Sequence, residues 1–334
     1  MQSVPRKILF IKVSAVGDIL RAVPALIAVR KHFPAAHIAW MIGEEYLEII
    51  EHCPHIQEII PYRRRKNLED LSGFVKFILG IRKRNFDLVI NLQNTKRFDL
   101  IGRLSGAGFR TPVVNFPQPV SGLEGVFEII RRAGIDACDE KFELWATPED
   151  REFAERFLER HNIAPNERVV GINPGTNWET KQWKLENYTE VANKLVDSFG
   201  VKILIFGSDA ERNRAEKIAC MMRTKPTIAA GETTLRQAGC LIERCCLFIT
   251  NDSGLMHFAS LSGVQTAAIF GATDPQSDGP TGSGHLVFSS KSVCPPCYKS
   301  VCRLKNNQLI CLRSIMPEHV FEKLTEHIKE KLNG

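Results

Sequence analysis

The sequence predicts an α/β fold built from two doubly wound, Rossmann-like domains. Three observations lead there. The chain has 334 residues, room for two domains of the usual roughly 100–200. Short apolar runs alternate with helical stretches in each half, the pattern of a parallel sheet covered on both faces. A polar, Pro-bearing segment, HNIAPNER at 161–168, lies between the halves. The reading is therefore a first domain over 1–165 and a second over 166–334, facing one another across a cleft.

In the first half the strands fall at 7–13 (KILFIKV), 37–43 (HIAWMIG), 56–62 (IQEIIPY) and 87–93 (DLVINLQ). Each is a short run dominated by apolar and β-branched residues. Helical stretches fill 18–32, 44–52, 67–84 and 97–105. The second half repeats the scheme, with strands at 168–174 (RVVGINP), 201–207 (VKILIFG), 247–252 (LFITND) and 265–271 (QTAAIFG). Its helices lie at about 185–199, 209–222, 233–245 and 254–263. Over 317–332, Val320, Phe321, Leu324, Ile328 and Leu332 form one helical stripe. This helix either closes the second domain or straps both.

Composition narrows the function classes. No apolar stretch is long enough to span a bilayer. The N-terminal apolar run is short and broken by Lys12, so it reads as a buried strand and a cytoplasmic location is expected. Residues 1–132 hold 20 Lys/Arg against 12 Asp/Glu, whereas the whole chain is only +6. The stretch 1–132 thus carries all of the positive excess. Its runs include Arg63-Arg64-Arg65 and Lys96-Arg97, which are either solvated helix faces or a surface for an anionic partner. Aromatic residues are scarce among them and no RNA-binding signature is visible, so no nucleic-acid partner is expected.

Doubly wound sheets bind ligands beyond the carboxyl ends of their strands. The first strand ends in Ser14-Ala15-Val16-Gly17-Asp18, which is neither a dinucleotide Gly-x-Gly-x-x-Gly nor a Walker loop. Asp18 is the best-placed carboxylate of the first half for a general base, and it also stands where a helix N-cap belongs. The second domain opens with Asn173-Pro174-Gly175-Thr176-Asn177-Trp178 and Thr180-Lys181-Gln182-Trp183. Such a polar loop suits a diphosphate, with Lys181 as a compact counter-charge. The sharpest motif is Asn251-Asp252-Ser253-Gly254-Leu255-Met256-His257, a strand running into a helix start, where backbone N–H groups and the dipole favour an anion. His257 is either turned toward that ligand or a core histidine. Phe270-Gly271-Ala272-Thr273-Asp274-Pro275 ends a further strand. No Asp-x-Asp pair exists to hold a catalytic divalent metal.

Taken together, Lys12-Val13-Ser14-Ala15-Val16-Gly17-Asp18, Asn173-Pro174-Gly175, Lys181-x-Trp183, Asn251 to His257 and Phe270-Gly271-x-Thr273-Asp274-Pro275 resemble glycosyltransferase family 9, the heptosyltransferases. The resemblance implies a GT-B fold and inverting transfer of heptose from an ADP donor to the lipopolysaccharide inner core, with no cofactor required. It implies Asp18 as base and Lys181 as the phosphate-facing lysine. Asn173, Gly175, Thr176, Asp252, Ser253, Gly254, Leu255 and His257 would bind the donor. The anionic acceptor would then meet Arg63, Arg64, Arg65, Lys96 and Arg97, with the protein peripheral at the inner face of the inner membrane. Where the family places a donor-binding Glu, this chain has Thr234-Leu235-Arg236. A transferase using another nucleotide sugar, or a silent sugar-nucleotide-binding protein, are the alternatives.

A Cys-rich loop over 294–311 holds Cys294, Cys297, Cys302 and Cys311. Four thiols in so short a span are candidate ligands of a structural zinc, and equally suit buried thiols that pack a loop.

Overall fold

The computed structural model describes residues 4–63, 71–112, 120–136, 141–290, 292–306 and 308–333. The chain forms two compact units, Met1–Trp145 and Ala146–Gly334.

Unit 1 contains β1 (Lys7–Ile11), α1 (Val16–His32), β2 (His37–Gly43), α2 (Leu47–Ile50), β3 (Glu58–Tyr62), α3 (Leu71–Lys83), β4 (Leu88–Asn91), α4 (Lys96–Leu104), β5 (Phe109–Arg110) and α5 (Gly122–Arg131). Its strands are all parallel, in the order β3-β2-β1-β4-β5. Ile8, Leu9, Phe10 and Ile11 are wholly buried because helices cover both faces. One layer is α1 packed with α5. The other is α3 and α4, whose Phe74, Ile78, Ile81, Phe98 and Ile101 share a core with Leu9, Ile11 and Val89.

Unit 2 contains α6 (Pro148–Arg160), β6 (Val169–Asn173), α7 (Leu185–Phe199), β7 (Lys202–Ile205), α8 (Arg212–Met221), β8 (Thr227–Ile228), α9 (Leu235–Glu243), β9 (Cys245–Asn251), α10 (Gly254–Leu261), β10 (Thr266–Phe270), α11 (Pro275–Asp278), β11 (Leu286–Ser289), α12 (Ile310–Arg313) and α13 (Pro317–Asn333). Its parallel sheet has the order β11-β10-β9-β6-β7-β8. In each sheet the winding direction reverses beside the first strand: between β1 and β4 in unit 1, and between β6 and β9 in unit 2. Those two switch points are where an open α/β sheet leaves a crevice.

The division falls at Trp145 rather than in the 161–168 segment. The reason is α6, which buries Ala154, Phe157 and Leu158 and packs on α9. Arg236 Nε meets Asp150 Oδ2 at 2.7 Å, and both side chains are nearly buried. Asp150 also completes a capping box with Thr147. Residues 161–168 therefore join α6 to β6 within unit 2. The C-terminal helix α13 packs on α7 and β11 of the same unit, with Val320 and Leu324 in its core. Among the described residues no helix is long and apolar enough to cross a membrane.

Candidate functional site

At the unit 1 switch point, the loop after β1 leans on the loop after β4. Gln93 Oε1 accepts from the Val13 and Ser14 amides at 2.9 and 3.1 Å. Lys12 Nζ donates to the Leu92 carbonyl at 3.3 Å and stands 3.4 Å from Asp18 Oδ2. Arg21 Nη2 hydrogen-bonds the other oxygen, Asp18 Oδ1. Asp18 thus lies in the first turn of α1, clamped between two cations. It does not cap the helix: the N-cap is Ala15, which makes no side-chain cap bond.

The cations are sunk and the carboxylate is not. The Lys12 and Arg21 side chains are each 9% exposed, whereas that of Asp18 is 38% exposed. Burial pulls the Lys12 pKa below the usual lysine value, and the charge of Asp18 works against that pull. Arg21 is backed by Gly122 at the start of α5, where a Cβ would strike its guanidinium. The result is an accessible carboxylate fixed on both oxygens from below.

Of the basic candidates, Lys96 and Arg97 open α4 and are exposed. They follow β4 and so share the carboxyl end of the sheet with Asp18. Arg63 follows β3 and ion-pairs with Glu44. Arg64 and Arg65 lie outside the described residues.

At the unit 2 switch point, Asn173 ends β6 beside Thr250 of β9. Its Nδ2 donates to Ser253 Oγ at 2.9 Å, and its Oδ1 accepts from the Gly175 amide at 3.4 Å. Thr176 Oγ1 donates to the Asp252 carbonyl at 3.3 Å. Ser253 is the N-cap of α10 and accepts from the Met256 amide. Ser253, Gly254 and Leu255 are half-buried at that helix start, whereas His257 is buried one turn in. Asn251 holds the floor: its Oδ1 accepts from the Trp183 amide at 3.1 Å and the Tyr188 hydroxyl at 2.8 Å.

Lys181 does not stand alone. Its Nζ is 2.6 Å from Asp252 Oδ2 and 4.5 Å from the ring centroid of Trp178. Thr273 Oγ1 donates to the same Asp252 oxygen at 2.6 Å. Asp252 therefore anchors a lysine and a threonine, and does not cap α10. The lysine keeps 17% of its side chain exposed against 8% for the aspartate.

Several participants had no assigned role in the sequence reading: Lys12, Arg21, Gln93, Thr273 and Glu211. Glu211 follows β7 and lays its carboxylate over Gly175, so close that a Cβ there would meet Glu211 Oε1 at 2.1 Å. The usable signal for Lys12 was a charge interrupting an apolar strand. Arg236, the departure from the family pattern, is committed to Asp150.

The Cys-rich loop borders this site. The Cys297 and Tyr298 amides both donate to the Ala272 carbonyl, at 3.0 and 2.8 Å. Cys311 is buried, and burial first, then the neighbouring Cys294 thiol, raises its pKa. Among the described residues no three His, Cys, Asp or Glu side chains are grouped to hold a metal ion. Cys294, Cys297 and Cys302 all lie near enough to Cys311 for their charge to act on it, and the loop packs on the end of β10.

The profile described as "Glycosyltransferase family 9 (heptosyltransferase)" matches residues 74–308. Lipooligosaccharide heptosyltransferase 2 of Campylobacter jejuni serotype O:6 is 32% identical, over 92% of this chain and 95% of that relative. The chain belongs to glycosyltransferase family 9. It is a transferase, as the motif set implied. Among solved structures, the family 9 glycosyl transferase of Veillonella parvula superposes with a TM-score of 0.81 at 24% identity, covering 97% of this chain and 98% of that one. The E. coli ADP-heptose lps heptosyltransferase II gives 0.75 at 21% identity, covering 97% and 99%. These likenesses bear out the expected α/β fold of two doubly wound sheets.

Proposed function

We propose that this family 9 enzyme transfers a heptose from ADP-heptose to the inner core of lipopolysaccharide, in one inverting displacement that needs no metal. The observation that carries the reading is Asp18: an accessible carboxylate at a switch point, gripped on both oxygens by buried Lys12 and Arg21. The substrate assignment leans on its relatives, one a lipooligosaccharide heptosyltransferase and one the E. coli ADP-heptose lps heptosyltransferase II.

In this mechanism unit 1 holds the acceptor and unit 2 the donor. The acceptor hydroxyl passes its proton to Asp18 as its oxygen attacks the anomeric carbon. The bond from that carbon to the diphosphate breaks, and its electron pair leaves with ADP. An ordinary aspartate is ionised but weakly basic at neutral pH, so Asp18 acts as a concerted base within hydrogen-bond reach. The leaving diphosphate needs charge neutralisation more than a proton. Lys181 and the amides at the start of α10 supply it, with Ser253, Gly254 and Leu255 half-buried there. Asn173, Gly175, Thr176, Asp252 and His257 shape the donor side. The basic residues Arg63, Arg64, Arg65, Lys96 and Arg97 meet acceptor phosphates. A related transferase with a different nucleotide sugar is the second reading, favoured by Arg236 pairing with Asp150 where the family places a donor-binding Glu.

Asp18→Asn tests the base. Turnover is expected to fall about 10²–10⁴-fold while donor affinity, measured by calorimetry, stays at the wild-type value. A variant retaining more than about a tenth of wild-type turnover overturns the assignment. Titrating ADP-, UDP-, GDP- and dTDP-sugars against the wild-type chain decides the donor: tightest binding of a UDP-, GDP- or dTDP-sugar overturns ADP.

A further inference from the structure

The Cys-rich loop between β11 and α12 supplies no group to the chemistry above, yet it spends its backbone on the donor side of unit 2. The Cys297 and Tyr298 amides both donate to the Ala272 carbonyl. The next carbonyl, that of Lys299, accepts from Thr180 Oγ1. The Tyr298 hydroxyl accepts from the Asp274 amide at 3.2 Å and donates to Asp278 Oδ2 at 3.0 Å. Three consecutive residues thus tie two separate segments: the loop after β10, and the turn Glu179–Lys181. Those segments supply both partners of Asp252 Oδ2, Thr273 Oγ1 from one and Lys181 Nζ from the other. The Ala272 amide donates to the Thr180 carbonyl and closes the circuit.

Two features separate this from ordinary loop packing. The first is backbone strain. Among the described residues, four that are not glycine have a left-handed backbone: Asn85, Asn162, Tyr298 and Leu309. Asparagine tolerates that conformation, whereas tyrosine and leucine resist it. Both of the resisting residues lie in this loop. Such a conformation persists where surrounding contacts over-determine it, and the four bonds of Cys297, Tyr298 and Lys299 to their neighbours do so. The second feature is exposure. Tyr298, Val301 and Leu304 are 48%, 60% and 43% exposed. A loop built to cover the core would bury these side chains. Thr180, in contrast, is buried, so its hydroxyl must find a partner within the protein, and Lys299 provides one.

We propose that the Cys-rich loop is a brace that fixes Lys181 for the leaving diphosphate, with Tyr298 and Thr180 as positioning residues. The brace acts through Lys181 rather than on either substrate. It holds the lysine turn against the end of β10, so the ammonium can exchange Asp252 for a phosphate while its backbone stays in place. The proposal rests on the reading of Lys181 as the phosphate-facing lysine.

Two substitutions cut the brace at different ends. Tyr298→Phe keeps the ring and removes the hydroxyl. Thr180→Val keeps the shape and removes the donor to Lys299. Each is made alone and together with Lys181→Ala. Binding is followed by calorimetric titration with ADP, UDP, GDP and dTDP, using whichever binds the wild-type chain most tightly, and turnover is measured beside it. Each substitution alone is expected to lower kcat/KM about 10–10²-fold, because a small displacement of a positioned group is costly. Nucleoside diphosphate affinity should fall with it, while the melting temperature drops by no more than about 4 °C. In the Lys181→Ala background neither substitution should weaken binding further, since residues that act through one group are not additive. Wild-type binding and turnover in both single variants, with affinity lost in Lys181→Ala, overturns the brace and leaves the lysine reading intact. Losses that persist in full beside Lys181→Ala also overturn it, and assign the loop to the fold alone. A Lys181→Ala chain that binds the nucleoside diphosphate like wild type overturns the phosphate-facing reading, and the brace with it.

Discussion

Gly271→Ala probes how the fold positions Lys181. Gly271 follows β10, and a Cβ there would lie 2.1 Å from the Thr180 carbonyl oxygen and 3.0 Å from Leu312. Neither contact can yield by rotating a flexible side-chain tip. The first is backbone, and Leu312 is buried in the unit 2 core. Relief requires the Thr180 segment to retreat by roughly 1 Å. That motion breaks the bond from the Ala272 amide to the Thr180 carbonyl, now 3.2 Å, worth about 1 kcal/mol. Overpacking adds about 1–3 kcal/mol. The expected loss is therefore about 2–4 kcal/mol, or roughly 5–15 °C in the melting temperature of a domain this size. Lys181 is the next residue along and moves with the segment, so turnover should fall by up to about 10²-fold. Thermal unfolding and donor titration measure both effects. Gly108→Ala is the control, since nothing lies within 4 Å of its Cβ. Wild-type melting and wild-type turnover in Gly271→Ala would refute the argument that this glycine sets the lysine loop.

Transfer should continue in excess EDTA, because the chain lacks an Asp-x-Asp pair; activity that stops with chelator and returns with Mg²⁺ or Mn²⁺ would refute metal independence. Asp150 should shape the acid limb of unit 2. Burial raises its pKa, but the hydrogen bond from Arg236 and the Thr147 amide outweigh that and hold it below 3.8. A depressed carboxylate stabilises the fold above its unfolded value and stops doing so as pH falls through its folded value. Asp150→Asn should accordingly cost about 1–3 kcal/mol at neutral pH and flatten the decline in stability below about pH 4. An unchanged acid limb, followed by circular dichroism, would count against the pair.

The central strands were legible because each is a continuous apolar run between turn residues, which only a two-sided sheet requires. The edges were not. β5 and β8 have two residues each, too few for any periodicity, and β11 has four. The helix α6 also escaped, since PEDREFAERFLER is polar on most faces. Its true signature was the Thr147-Pro148-x-Asp150 start, a capping box with proline in the first turn. That omission placed the domain boundary too late. Residue types at the switch points were readable, since strand ends in such sheets are where polar loops converge. Their pairing was not. Lys181 and Asp252 sit in separate motifs, and nothing local announces that one neutralises the other. Asp18 resembled a cap by position, but the N-cap is Ala15, and Asp18 instead pairs with Lys12 and Arg21.

The contact between Lys181 and Asp252 has a bearing on selectivity. A bare lysine at a helix start would attract every small anion in solution, inorganic phosphate included. Here an arriving anion must exchange with a carboxylate already seated at 2.6 Å, so its gain is a difference between two ion pairs. A lone phosphate can take the ammonium but offers nothing to the aspartate it displaces, which is left buried and short of a partner. A ligand bearing both an anion and hydroxyl donors can satisfy lysine and aspartate together. The resident pair thus discriminates by the number of functions a ligand brings rather than by its charge.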